Sequence, residues 1–199
     1  MSETGRIEVV CGPMFAGKTE ELLRRVRRAV IAGRRVVVFN HALDTRHGTD
    51  RLASHVGLAV PAVATTTPED IESAVPDAAD VVAIDEAQFF GPGLVPVADR
   101  LARRGLVVIV AGLDVTFDGR PFEPLPSLMA LAERVDKLTA ICSVCGEDAV
   151  YHVRVGPAPV SSGALVAANV GGIEAYQARC RRHFTPARAE AGAGADPAR

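Results

Sequence analysis

The stretch Gly12-Pro13-Met14-Phe15-Ala16-Gly17-Lys18-Thr19 has the spacing G-x-x-x-x-G-K-[ST], the P-loop pattern. Gly12 and Gly17 allow backbone turns that a Cβ would obstruct. The loop's N–H groups can then point inward at phosphate oxygens. Lys18 offers a point charge to the β- and γ-phosphates, and Thr19 a hydroxyl to Mg2+. The pattern is loose enough to occur by chance as an ordinary glycine-rich turn. Here the apolar run Ile7 to Cys11 supplies the strand before it. A helix follows Thr19, and its N-terminal dipole also favours an anion.

A second set of chemical groups follows Val81-Val82-Ala83-Ile84. Asp85-Glu86 ends this apolar strand in two carboxylates, the Walker B arrangement. Asp85 can hold the Mg2+ shell opposite Thr19, and Glu86 can serve as a general base. Acids after a strand are common; the P-loop is what gives this pair its meaning. A third set is the polar stretch His41 to Arg51, which follows a strand end. In open α/β sheets that edge faces the ligand. Asp44 and Arg46 read equally as metal and phosphate groups or as a surface loop with a local ion pair. The lone His55 reads as structural.

The fourth set is Cys142-Ser143-Val144-Cys145, then Cys180-Arg181-Arg182-His183 about 34 residues further on. Three thiolates and one imidazole make a closed tetrahedral Zn2+ site, without the open position of a catalytic zinc. One metal can then staple a small β-rich lobe that lacks a core of its own. The alternative is two unrelated pairs of reduced, buried side chains, which the paired spacing disfavours. Cys11 is left over and reads as a small hydrophobe packed beside the P-loop.

The elements that position these groups follow from apolar periodicity. Glu20 to Ala32 is a helix with the stripe Leu22, Leu23, Val26, Val30 and Ile31. Arg24, Arg25, Arg27 and Arg28 form a solvated face rather than a nucleic-acid contact. Gly33 stops this helix. Val36-Val37-Val38-Phe39 is a second buried strand, so strand, loop, helix, strand form a βαβ unit and a parallel sheet. Val60 to Val63 reads as a short strand. Pro68 to Val75 reads as a helix capped by Thr67. Leu94 to Arg104 is helical, Leu106 to Gly112 is a buried strand, and Leu125 to Val135 is a further helix. Lys137 to Ile141 reads as the last core strand. The expected division is a P-loop nucleotide-binding α/β domain over 1–141, a zinc-binding lobe over 142–184 and a disordered tail over 185–199.

Composition bounds the function. The 199 residues are 48% hydrophobic and 23% charged, with a net charge of -2. No block of like charges offers a large electrostatic grip on nucleic acid. No run of about 18 apolar residues suggests a membrane span. Met1 to Arg6 lacks a signal-peptide core. The expectation is a cytoplasmic protein without nucleic-acid or membrane partners, its four cysteines reduced or metal-bound.

Taken in order, these motifs resemble the thymidine kinases with a RecA-like P-loop core and a zinc-held lasso lobe. The P-loop, Asp44-Thr45-Arg46, Asp85-Glu86-Ala87-Gln88-Phe89-Phe90, Leu113-Asp114 through Pro121-Phe122, the zinc knuckles and Val170-Gly171-Gly172 through Tyr176 carry the resemblance, over roughly Arg6 to Phe184. It implies transfer of the γ-phosphoryl of ATP to the 5′-hydroxyl of thymidine, or of deoxyuridine. It implies phosphate binding by residues 12 to 19, Mg2+ held by Thr19, Asp85 and Asp44, Arg46 stabilising the transferring group, and Glu86 as base. Met14, Phe89, Leu113, Phe117 and Phe122 match thymine-pocket walls, although each also reads as plain packing. The lasso, with Val170, Gly171, Gly172 and Tyr176, would close over the base. The resemblance also implies a homotetramer. Two departures stand out: Ala16 where Ser is usual, and His152 where a Thr near the base is usual.

Overall fold

The computed structural model describes residues 4–43, 51–53, 59–155 and 175–185. Its centre is a six-stranded sheet in the order β5-β2-β6-β7-β1-β8. The strands are β1 (Arg6–Gly12), β2 (Val36–His41), β5 (Val63–Thr65), β6 (Val81–Ile84), β7 (Val107–Leu113) and β8 (Arg134–Lys137). Every neighbouring pair is parallel. Parallel strands joined by helical crossovers are covered on both faces, so they read as continuous Val/Ile runs.

The alternation of side chains sorts the two faces. Val9, Cys11, Val82, Ile84, Val108 and Val110 pack against Ile71 of α2 (Pro68–Ala74), Leu94 and Leu101 of α3 (Leu94–Arg103), and Leu125 and Leu128 of α4 (Leu125–Leu131). Val10, Ala83, Val107, Ile109 and Ala111 pack against Leu22, Leu23 and Val26 of α1 (Lys18–Ile31). The result is helices on both sides of one sheet. Thr67 caps α2 as expected: its hydroxyl accepts from Asp70 N–H at 3.2 Å, and Asp70 returns the bond to Thr67 N–H at 3.1 Å.

Several elements depart from the sequence reading. The segment from Ala59 to Thr65 is two strands, not one. β4 (Ala59–Pro61) pairs antiparallel with β3 (Arg51–Ala53), and β5 joins the main sheet. The helix that starts at Leu125 stops at Leu131, and Arg134–Lys137 is the edge strand of the sheet. This strand is mostly exposed and polar, so no apolar alternation announces it; its ladder to β1 decides the matter. Glu133 fixes the register, accepting Ile7 N–H at 2.7 Å on its side chain while its own N–H reaches Ile7 C=O at 3.1 Å. Ala140–Ile141 (β9) lies outside the core sheet and pairs with β10 (Asp148–Ala149).

The apolar stripe of α1 fails at its last turn, where Val30 and Ile31 are 57% and 86% exposed. The arginine face fails at Arg25, which is buried. Its guanidinium bonds Glu8 at 2.7 Å, Glu21 at 2.9 Å, and Asp136. Helical periodicity turns Arg25 over the seam of β1 and β8, where those acids project, and a guanidinium can serve several carboxylates at once.

Glu21 is held down at about 2, first by its hydrogen bond to Arg24 and then, against the opposing effect of burial, by Arg25. Removing one member of such a cluster leaves buried charge uncompensated. Arg25→Met is therefore expected to lower unfolding free energy by about 3 kcal/mol in urea titrations. Because the folded Glu21 pKa lies below its ordinary 4.5, its stabilisation is complete above that value and fades as pH falls toward 2. The gap between wild type and Arg25→Met should narrow over that window; a constant gap would count against the ion cluster as its cause.

Candidate active site and metal centre

The sheet delivers three strand ends to one edge. β1 ends at Gly12, whose φ of 149° and whose approach to Leu138 leave no room for a side chain; a Cβ would lie 2.5 Å from Leu138 C=O. The loop then turns through Phe15 (φ 68°) to Gly17, which caps α1 in the left-handed region at φ 79°. Lys18 Nζ folds back to donate to Pro13 C=O at 2.8 Å. Pro13 is buried, Met14, Ala16 and Gly17 are half-buried, and the Phe15 side chain is exposed.

β6 ends at Ile84, and Asp85 follows, buried, with its N–H on Phe39 C=O at 2.9 Å. The Thr19 hydroxyl donates to Asp85 Oδ2 at 2.9 Å, across the strand that separates them. The other oxygen of Asp85 accepts Glu86 N–H at 2.9 Å. The threonine of the P-loop thus meets the first carboxylate of the acid pair. A hydroxyl and a carboxylate oxygen side by side at the end of a phosphate loop form the hard oxygen set that suits Mg2+.

β7 ends at Leu113, which is buried and donates its N–H to the side-chain oxygen of Gln88 at 3.0 Å. Phe89 is half-buried beside His41, their rings 5.6 Å apart. Phe117 and Phe122 are half-buried in the loop after β7, which is closed by a Val115–Pro121 bridge. Gly119 in that loop abuts the Phe184 ring, and Phe184 stacks on Tyr151 at 4.2 Å. Tyr176 is buried, edge-on to His152 at 5.8 Å. Asp44, Arg46, Val170, Gly171 and Gly172 lie outside the described residues.

Three residues near the site carry more than their sequence context announced. His41, at the end of β2, donates from Nε2 to Thr66 C=O at 3.2 Å and accepts Leu43 N–H at 3.1 Å. Burial pushes its pKa down. His152 is buried, and burial with the nearby charge of Lys18 lowers it to about 4. Its Nδ1 has no hydrogen-bond partner among the described residues. Gln88 is buried and bonded at both ends. His41 and Gln88 each also bond a residue 25 positions away, Thr66 and Leu113, which no local pattern announces; His152 stands out in the sequence only as a departure from the family. Cys11 is inert, as expected: burial and then the charge of Asp114 raise its thiol to about 12.

Cys142, Cys145, Cys180 and His183 converge, with all four ligand atoms within 4.8 Å of one another. Cys145 Sγ and Cys180 Sγ are 3.7 Å apart; His183 Nδ1 is 3.7 Å from Cys142 Sγ and 3.3 Å from Cys180 Sγ. Ordinary Zn–S and Zn–N lengths in a tetrahedron give edges of about 3.8 and 3.6 Å. The donor set and these spacings fit a tetrahedral zinc site. They sit between β9, β10 and the antiparallel pair of β11 (Tyr151–Arg154) and β12 (Tyr176–Arg179), with Ala16 of the P-loop packed against the same cluster.

A parallel sheet ending in a glycine-lined phosphate loop, with the first of two consecutive carboxylates hydrogen-bonded to its threonine, defines a P-loop nucleotide-binding protein. The family model described as thymidine kinase matches residues 5–184. A thymidine kinase of Deinococcus deserti is 46% identical over 197 residues, covering 92% of this chain and 96% of that protein. One of Deinococcus radiodurans is 46% identical over 199 residues, covering 94% and 92%. The chain belongs to the thymidine kinase family.

Natively purified protein should contain one zinc per chain by elemental analysis, and Cys145→Ser should lose it; protein without zinc would refute the centre. Gly12→Ala should weaken ATP binding at least about tenfold in calorimetric titration, because its Cβ collides with backbone in a strained conformation.

Proposed function

We infer that the protein transfers the γ-phosphoryl group of ATP to the 5′-hydroxyl of thymidine, giving dTMP and ADP. The bridge from Thr19 to Asp85, with Glu86 next in the chain, is the observation that carries this reading. Phosphoryl transfer needs positioning and charge neutralisation more than covalent chemistry. The loop amides of residues 12 to 19 and Lys18 bind the phosphates; Lys18 exchanges the Pro13 carbonyl for phosphate oxygen. Thr19 and Asp85, with Asp44, would hold Mg2+, which neutralises phosphate charge when bound. Arg46 stabilises charge on the transferring group.

Glu86 takes the proton of the 5′-hydroxyl as that oxygen bonds to the γ-phosphorus and the bond to the β-phosphate oxygen breaks. A positioned base of this kind contributes about 10²- to 10⁴-fold. Its half-buried place beside Asp85 supports the role.

Met14, Phe89, Leu113, Phe117, Phe122 and Tyr176 wall the nucleoside pocket, and Val170, Gly171 and Gly172, outside the described residues, are the ones the family resemblance assigns to closing over the base. His152 belongs to the same wall: it is buried against Tyr176, neutral, and within the field of Lys18. Cytosine puts a donor where thymine has O4, leaving donor against donor, at a cost of about 1–3 kcal/mol. Deoxyuridine lacks only a methyl group and should bind more weakly by about 1 kcal/mol.

Zinc is structural in this reading, because all four positions are filled by protein. The chain divides into a nucleotide-binding domain and a zinc lobe, with the boundary before β9, whose Ala140–Ile141 pairs with β10. The free cysteines at the metal centre fit a reducing cytoplasm. Among the described residues no helix is long and apolar enough to cross a membrane. Assembly as a homotetramer, which the family resemblance implies, gives the exposed Val30 and Ile31 at the end of α1 a candidate surface to bury.

The test is a panel of nucleosides with ATP, read as monophosphates. Thymidine should lead, deoxyuridine follow and deoxycytidine fail. Glu86→Gln should lower kcat by about 10²- to 10⁴-fold while ATP binding holds. Full turnover in that variant removes Glu86 from the mechanism.

A further inference from the structure

We propose that Gln88 is the positioning residue for Glu86, tying the base's carboxylate to the strand between the two nucleotide-binding strands. The proposal rests on Glu86 being the base. Glu86 leaves β6 with φ 50° and ψ 42°, the left-handed region that a residue with a Cβ adopts at a cost. Its side chain has three rotatable bonds, so backbone placement alone does not fix where the carboxylate sits.

Gln88 supplies a direct constraint on it. It lies in the short 3-10 turn Ala87–Phe90 and is 4% exposed. Its Nε2 donates to Glu86 Oε2, and its Oε1 accepts Leu113 N–H at 3.0 Å. A carboxylate only accepts and a backbone N–H only donates, so the amide has one workable orientation. Among side chains of this length, only a glutamine joins those two groups. Glutamate would set a second carboxylate against Glu86, methionine would serve neither end, and asparagine is one methylene short.

Gly112 reports the same design independently. It sits inside β7, where glycine weakens a strand, without the positive φ that would demand it. A Cβ there would lie 2.8 Å from Gln88 Oε1, 2.9 Å from Leu125 Cδ2 and 3.2 Å from Ala87 N. The strand has given up a side chain where the glutamine seats. Leu113, at the end of that strand, is level with Gly12 of β1. The latch therefore references the carboxylate to the strand that carries the phosphate loop.

Gln88→Met keeps length and burial but loses both hydrogen bonds. It should lower kcat about ten- to a hundredfold, the scale of a small misplacement of a reacting group. The KM for ATP should stay within about threefold of wild type, since among the described residues Gln88 makes no hydrogen bond with the phosphate loop. The deciding measurement is the double mutant. In a Glu86→Gln background, residual turnover should not fall further on adding Gln88→Met, because the latch then has no base to hold. An equal loss in both backgrounds, or a loss carried in the KM for ATP, overturns the proposal while leaving Glu86 as base. Unimpaired Glu86→Gln turnover would instead sink the base assignment. Should Gln88→Met fail to fold, Gly112→Ala, which unseats the amide, must give the same kcat loss and the same non-additivity.

Discussion

Strands β1, β7 and β6 run in one direction in a fixed register, Gly12 opposite Leu113 and Ile84 opposite Val110, and the bond between Thr19 and Asp85 exists because of it. A hydroxyl on the first turn of a helix and a carboxylate just past a strand, 66 residues apart in sequence, meet only if the sheet holds its register. Val9, Val82 and Val108 of these strands are buried within the same apolar layer, so a slip by one residue would turn them out of it. Hydrophobic burial on two faces therefore sets the distance on which the chemistry depends. The polar groups at the edge inherit their geometry from side chains that never meet a ligand.

The metal lobe is joined to that edge by packing rather than by the sheet. Ala16 of the phosphate loop lies against the cysteine cluster, and Gly119 of the loop after β7 lies against Phe184, which stacks on Tyr151. Strands β9 to β12 are too short to carry a core of their own. Four side chains poised for zinc supply the cross-link that such a lobe needs, and the lobe in turn holds His152, edge-on to Tyr176, within reach of Lys18's field. On the proposed reading, a metal bound there would act on the nucleoside side of the cleft through rigidity alone.

What the sequence disclosed was local chemistry. Gly12 to Thr19, Asp85-Glu86 and the two cysteine pairs announce themselves because each needs particular residue types at fixed short spacing. The buried strands did too, since a parallel sheet covered on both faces has no polar alternation to confuse. Arg25 was misjudged because a helix wheel shows which residues share a face but not that Glu8 and Asp136 wait under it. Arg134–Lys137 was misjudged because an edge strand need be apolar on neither side. The same limit hid Gln88: nothing in Glu-Ala-Gln says that the amide will meet a backbone N–H on β7.

That limit is informative about how the site is built. The groups placed against ligand are encoded in contiguous motifs, while the groups that hold them come from strands brought alongside by the sheet. Gly112 shows the division most clearly. Alone it is a weak residue in a strong strand, with no turn to make and no ligand to approach. Beside Gln88 it is the vacancy that lets an amide bridge a carboxylate to the main chain, and so the residue least able to change without moving the group two strands' ends depend on. Such positions work as pairs, and the fold is what makes them pairs.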